Sequence, residues 1–392
     1  MQTQRILFAS AVLAAALPAA HADAVTDWNV KAGEIIVEAK LGTPPAVRAM
    51  AIVQTAVLEA VNAAGARASL DAAVAAANRA TLSQLLPAQQ ASIDAAYQAA
   101  LAAMAESPAR AAGIAAGERA AATVLKARAD DGAATPESYR PQTMAASYVP
   151  TVTPAASQWP QRKPWLMAHA AQFRPAPPPA LTSDTWARDY NEIKALGSKN
   201  STRRTAEQTE IARFWEYSLP PIYTGVLRSV ALQPGRDAAR NARLYAAAAQ
   251  AMDDALISVF DAKYHYNFWR PVTAIRNGDA DGHDGTARDA SWAPMIDNPM
   301  HPEYPSGHSV LAGAVAAVLK ADVGHAAMPE LSTASPTAKG ATRRWSQVED
   351  FVREVSDARV YEGVHYRFSV DAGAAMGQRI GALAAERHLQ PF

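Results

Sequence analysis

The 392-residue chain has no cysteine, which excludes disulfides, thiolate zinc sites, a lipid-anchored cysteine and a cysteine nucleophile in one step. It has no net charge either, because 37 Lys plus Arg offset 37 Asp plus Glu. No global field therefore draws it to nucleic acid or acidic membranes, and an anion must be caught by a local cluster of cations. Strand signals are also scarce: no run of alternating β-branched residues stands out, whereas apolar residues recur at spacings of three and four among many alanines. Beyond the amino-terminal stretch, no segment offers the ~20 uncharged apolar residues of a membrane span.

What is present begins with "MQTQRILFASAVLAAALPAAHADA". A basic start at Arg5, an apolar run from Ile6 to about Ala16 and the small-x-small end Ala20-His21-Ala22 predict a secretory signal over 1–22, cut near Asp23. An exported chain without cysteine suits a bacterial periplasm. The remainder is expected to be all-α and built of helical bundles, with an N-terminal helical half over 23–235 and a C-terminal catalytic one over 236–392. Predicted helices run from Thr26 to Lys40, Pro45 to Ala64, Pro87 to Ala105, Pro108 to Ala129, Ser183 to Ala195, Asp237 to Phe260, Ser309 to Ala321, Arg343 to about Val360, and Val370 to Arg387. Another starts at Thr205, where Thr205-Ala-Glu-Gln208 fits a capping box. The proline-rich stretch 132–179, with "FRPAPPPAL" inside it, cannot be helical and predicts an ordered wrap or linker. "DADGHDG" (279–285) lacks the spacing and the closing Glu of an EF-hand and is expected to be a turn-rich loop.

Three stretches carry candidate chemistry. In "DAKYHYNFWRP" (261–271), Lys263 follows the end of an amphipathic helix, and Arg270 lies seven residues on, just before Pro271, which limits helix continuation. Two long cations can converge on one tetrahedral anion from there, with Tyr264, Tyr266, Phe268 and Trp269 as a desolvated wall. In "HPEYPSGHSVLAGAVAAVL", Pro305-Ser306-Gly307-His308 precedes a helical run, so the backbone N–H groups of Ser306 and Gly307 can face an anion at a helix start. The dipole there disfavours a protonated His308 and keeps its imidazole free for proton exchange. In "ARVYEGVHYRF", Arg359 is followed by His365 after a turn at Gly363. His169, His283, His325 and His388 lack such company and are expected to be structural or solvated; His265 fits either description. Three cations, two histidines and a helix start describe an oxyanion site.

Lys263-x6-Arg270-Pro271, Pro305-Ser306-Gly307-His308 and Arg359-x5-His365 resemble the three-part signature of the vanadium-dependent haloperoxidases and the phosphatidic-acid phosphatase type 2 superfamily. The likeness extends to "PPAVRAMAIVQTAVLEAVNA", "QFRPAPPPAL" and "NSTRRTAEQTEIARFW". The resemblance implies two four-helix-bundle-like halves. It also implies vanadate as cofactor, with Lys263, Arg270, Arg359, Ser306 and the Gly307 amide on its equatorial oxygens, His365 as the ligand to vanadium and His308 as the opposing acid-base group. Substrates would be hydrogen peroxide, a halide and an organic acceptor; a homo-oligomer is open, and neither nucleic acid nor a membrane is implied as a partner. Lys263 would polarise the oxygen that the halide attacks. His301, seven residues before His308, matches a position that tends to be His in bromide- and iodide-oxidising relatives; with Trp269 it is a candidate for the halide pocket.

In the phosphatases the same geometry makes His365 a phosphoryl acceptor and His308 the acid for the leaving group, so a periplasmic acid phosphatase is the alternative. Two positions depart from the signature: Ala358 replaces a serine, and Ser369 stands where an aspartate orienting the histidine is expected, with Asp371 two places on. The missing aspartate favours the peroxidase over the hydrolase, as do the aromatic run and the additional N-terminal half. A binding protein that kept the pocket without turnover is the third possibility.

Overall fold

The computed structural model describes residues 23–389; the expected signal segment, 1–22, lies outside the described residues. Helix accounts for 61% and strand for 4%, so the expected all-α fold is what is seen. Its axis is α9 (Ala238–Tyr266), capped by Asp237, whose side chain accepts the Arg240 N–H. Alanines at 246–249 and 251 leave α9 nearly featureless on several faces, so neighbours pack close all round it. One side meets α2 (Thr43–Ala63), which also packs on α3 (Leu70–Leu85) and α5 (Pro108–Arg128). The other side meets α11 (Gly307–Val323) and α13 (Arg367–His388). One apolar cluster runs from Val57 and Val74 through Met252 to Leu311 and Ile380. Among the described residues, α2 alone is long and apolar enough to cross a membrane, and 78% of that window is buried inside the protein.

The pair α11 and α13 sets the distance between the two histidine-bearing helix starts. Gly373, Gly377 and Gly381 fall at four-residue intervals, on one face of α13. A Cβ on them would stand 2.6, 2.0 and 2.3 Å from the carbonyl oxygens of Ser306, Val310 and Ala314. Only glycine permits that approach.

Several expectations need correction. The helix holding Lys263 does not end at Phe260 but continues to Tyr266 and stops at Asn267 in the left-handed conformation (φ 47°). Lys263 is therefore a helix residue. Arg343 does not begin a helix: it belongs to a hairpin of β1 (Leu331–Ser335) and β2 (Ala341–Trp345), turned at Lys339 and Gly340 with φ of 55° and 78°. The helix after it, α12, spans Val348–Tyr361. Three helices have no counterpart among the expectations: α3, the short α10 (Pro271–Arg276), and α8 (Pro220–Ala231), whose two prolines occupy N1 and N2 where a missing N–H costs nothing. The Thr205 capping box forms as expected and starts α7 (Ala206–Trp215).

The stretch 132–179 is irregular apart from two short 3-10 turns and is fastened to α9. The Asp254 carboxylate accepts the backbone N–H groups of Trp165, Leu166 and Met167 at 2.7, 2.8 and 3.1 Å. Arg162 grips Asp253 with two nitrogens at 2.6 and 2.9 Å and reaches Asp131 at 2.9 Å, and Arg174 grips Asp261 at 2.7 and 2.8 Å. Polar α9 positions thus satisfy a chain that has few internal backbone bonds of its own.

Candidate functional site

Four segments converge. Lys263 comes from the last turns of α9. Arg270 is the N-cap of α10 (Pro271–Arg276), and Pro271 sits at N1 rather than merely ending a helix. Ser306 is the N-cap of α11, so Gly307 and His308 are its first two residues. Arg359 lies near the end of α12, and Gly363, at φ 81°, turns the chain into His365 just before α13. A Cβ at Gly363 would lie 2.3 Å from the Gly197 carbonyl oxygen, so that turn requires glycine twice over.

Lys263, Gly307, His308, Arg359, His365 and His301 line one cleft of about 390 Å³. Lys263, Arg270, Arg359 and His365 are each no more than 2% exposed. Lys263 Nζ donates to the Pro302 and Glu303 carbonyls at 3.0 and 2.8 Å, which leaves one of its three N–H groups for the cleft. Arg270 donates to the His301 and Val364 carbonyls at 3.0 and 2.8 Å, to His301 Nδ1 at 3.0 Å and to His365 Nε2 at 3.3 Å. Arg359 is ion-paired with the buried Glu362. The cluster thus sets Lys263, Arg270 and Arg359 against two carboxyls, Glu303 and Glu362, which burial pushes up to about 7 and about 8. Positive charge is in excess in a place where uncompensated charge is costly. Burial first, then Arg270 and Arg359, hold Lys263 well below its ordinary value. Arg270, lowered by burial to about 10, remains a cation at neutral pH.

The histidines are neutral for the same reasons. Burial, followed by Arg359, Lys263 and Arg270, holds His308 well below the usual imidazole range. The Trp215 backbone acts weakly in the other direction, and among the described residues His308 Nε2 has no partner. His365 and His301 are likewise lowered, by burial and then by the Arg270 and Lys263 charges.

Ser306 contributes differently than expected. Its backbone N–H is spent on the Ser369 carbonyl at 3.1 Å, so it is not offered to an anion. A hydroxyl chain makes up for this: Ser356 donates to Ser309 and Ser309 to Ser306, each at 3.1 Å. The Ser306 hydrogen is left to donate onward. At Gly307 an added Cβ would meet open space, which is the cleft itself.

The aromatic wall is corrected. Trp269 does not line the cleft; it is buried in a cluster with Trp186, Tyr304 and Tyr366, stacked 5.9 Å from Trp186. In extended chain, neighbours point to opposite sides, so Trp269 faces away from the side Arg270 serves. Tyr304 and Tyr366 likewise flank Glu303 and His365. This cluster anchors the loops behind the site, and Phe260, edge-on to His301 at 5.2 Å, supplies the ring in the cleft. Asp371 is exposed and borders an outer groove instead. His265, His169 and His325 are exposed, His283 Nδ1 accepts the Gly285 N–H, and His388 bonds Gln250. In the 279–285 loop Asp281 accepts from Trp186 Nε1 and Thr286 Oγ1, and among the described residues no group of three acidic or imidazole side chains could hold a metal ion.

Sequence reasoning missed Glu303, whose Oε1 lies 2.8 Å from His365 Nδ1, and Glu362 beneath Arg359. The Arg270 N–H on Nε2 requires that nitrogen to be an acceptor, which puts the His365 proton on Nδ1, facing Glu303. The donor set therefore fits a tetrahedral oxyanion bonded to His365 Nε2: excess buried positive charge, a spare Lys263 N–H, the Ser306 hydroxyl and an open glycine cradle. An anion should raise the buried Glu303 and Glu362 carboxyls further, from about 7 and about 8, so binding takes up protons. Affinity for sulfate, whose own charge is constant near neutrality, is expected to strengthen from about pH 8 to pH 6 by up to about tenfold per pH unit for each proton taken up. Calorimetry in buffers of different ionisation enthalpy counts those protons, and zero uptake would contradict the assignment.

Residues 243–392 match the family of the VCPO second helical-bundle domain. The vanadium chloroperoxidase of Curvularia inaequalis is 29% identical over 170 residues, covering 36% of this chain and 28% of that protein. The matched part is thus under a third of that relative's length. A bacterial vanadium-dependent iodoperoxidase superposes with a TM-score of 0.79 at 23% identity, covering 93% of this chain and 95% of that one. A holo-type bacterial vanadium-dependent chloroperoxidase does so with a TM-score of 0.67 at 20% identity, covering 90% and 94%. The fold is that of the vanadium haloperoxidases. The sequence likeness to that family rests on residues 243–392, and over the rest of the chain the likeness is one of fold.

Proposed function

We propose that the protein is a vanadate-dependent haloperoxidase converting hydrogen peroxide, a halide and a proton to hypohalous acid and water. The observation that carries this reading is the buried cluster of Lys263, Arg270 and Arg359 around two buried histidines held well below the usual imidazole range, with His308 Nε2 left without a partner among the described residues. Vanadate, when bound, supplies the Lewis acidity that activates peroxide toward a halide. His365 Nε2 would bond it, while Lys263, Arg270, Arg359, the Ser306 hydroxyl and the Gly307 amide hold its oxygens. The Arg270 N–H now on His365 Nε2 is the one released to such an oxygen. His308, held below the usual imidazole range with an unpartnered Nε2, would take a proton from incoming peroxide and return one to the departing oxygen. Lys263, fixed by two carbonyls, would aim its remaining N–H at the oxygen that the halide attacks. Bromide or iodide is the proposed halide, on His301 at the cleft wall. Export to a periplasm is also proposed, from segment 1–22; a mature N-terminus other than about Asp23 would count against it.

The second reading, an acid phosphatase using His365 Nε2 as phosphoryl acceptor, is favoured by one observation. A carboxylate does sit on His365 Nδ1, supplied by Glu303, so the argument from Ser369 against a hydrolase fails. One experiment separates the two. Protein stripped of phosphate is divided, half loaded with orthovanadate and assayed for peroxide-dependent bromide and iodide oxidation, half assayed for hydrolysis of an aryl phosphate. Vanadate-dependent halide oxidation well above phosphate release is expected. Rapid phosphate release that vanadate inhibits, with negligible halide oxidation, would overturn the haloperoxidase.

A further inference from the structure

We propose that Glu303 is the positioning residue of His365, taking from a different segment the role that the signature gives to an aspartate at 369. The inference rests on the reading that His365 Nε2 bonds the oxyanion. Both side chains are at most 1% exposed, and the Oε1 to Nδ1 distance is 2.8 Å. The same oxygen accepts the Tyr366 N–H at 3.1 Å, so it is held against the backbone just after His365. Glu303 is itself fixed: its N–H donates to the Phe268 carbonyl at 2.9 Å and its carbonyl accepts from Lys263 at 2.8 Å.

The alternatives to Glu303 are weaker on geometry. Ser369 Oγ is 3.4 Å from Nδ1 and is a neutral acceptor, whereas a carboxylate makes the stronger, charge-assisted bond. Asp371 points to the outer groove. A ring nitrogen that donates to a carboxylate gives up electron density to the other nitrogen and fixes its direction, which is how ligating histidines are tuned. Glu303 therefore does three things at once: it selects the tautomer, fixes the ring and makes Nε2 a better donor. It touches neither substrate nor oxyanion, so its effect passes through His365.

A role confined to charge or to folding would move every tetrahedral anion together. A positioning role would move only the anion that bonds to Nε2. Glu303→Leu keeps the volume and removes the acceptor. Its orthovanadate affinity, read by vanadium NMR or equilibrium dialysis, is expected to fall about 10- to 100-fold, with sulfate affinity unchanged or tighter because a negative charge has gone. Adding Ser369→Asp to the same chain should restore most of the vanadate affinity. Retained sulfate binding reports that the variant is folded. If Glu303→Leu does not fold, Glu303→Asp keeps the charge but shortens its reach, and must show the same selective loss. Vanadate affinity unchanged in the variant that folds, or vanadate and sulfate weakened in parallel, would overturn the role of Glu303. Equal affinity of the unaltered protein for the two anions would instead overturn His365 as the bonding nitrogen, and the role of Glu303 with it.

Discussion

His365→Ala is expected to lower orthovanadate affinity by more than the roughly 100-fold seen when outer partners of a metal ligand are removed, and to bring halide oxidation to background. His308→Ala should differ in kind. It removes the proton acceptor while leaving Lys263, Arg270, Arg359 and His365 in place, so vanadate should bind within a few-fold of normal, while turnover drops about 10²- to 10⁴-fold. Both variants are checked by titrating vanadate and measuring iodide oxidation on the same preparation. A His365→Ala protein that still bound vanadate tightly, or a His308→Ala protein that turned over normally, would reverse the two roles.

The second large effect is on stability. Arg162→Ala is expected to cost about 3 to 5 kcal/mol, because it leaves the Asp253 and Asp131 carboxylates buried without their shared partner. Arg162 and Asp253 are both fully buried side chains, and Asp131 is 1% exposed. Trp165 Nε1, Arg48 and Arg128 remain on these carboxylates at 2.8, 2.9 and 3.3 Å, but none replaces a bidentate guanidinium. Arg48 and Arg162 overcome the effect of burial and hold Asp131 down to about 2. A carboxyl lowered in the folded state contributes stability above its ordinary value near 3.8 that is lost as pH falls through about 2, so this clamp survives mild acid. Urea unfolding monitored by tryptophan fluorescence checks the variant; a loss under about 1 kcal/mol would place the wrap's stability elsewhere.

The sequence carried the site further than the surroundings of the site. Lys263, Arg270, Gly307, His308, Arg359 and His365 could be picked out because each block fixes its own spacing over at most eight residues. Glu303 could not be, because its partner His365 is 62 residues away. Two signs were available: a carboxylate placed just before Pro305-Ser306-Gly307-His308, and an aspartate missing at 369. Trp269 is adjacent to Arg270 in sequence but not at the cleft, because alternate residues of extended chain face opposite ways. Long amphipathic helices were legible to within a few residues. Helix α3, alanine-rich and buried on most faces, has little polar contrast to read, and the five-residue strands of the hairpin acquire their stability from each other and from α8 rather than from propensity.

The rim of the cleft has a different origin from its floor. Gly42, Thr43 and Pro44 at the start of α2, Ala155 of the wrap and Ser218 ahead of α8 border the opening, along with Asp297 and Met300. None of them holds the anion. The opening is thus bordered partly by the amino-terminal portion and partly by 297–300, so substitutions at Thr43, Pro44 or Ala155 can reshape the way in without touching Lys263, Arg270, Arg359 or His365.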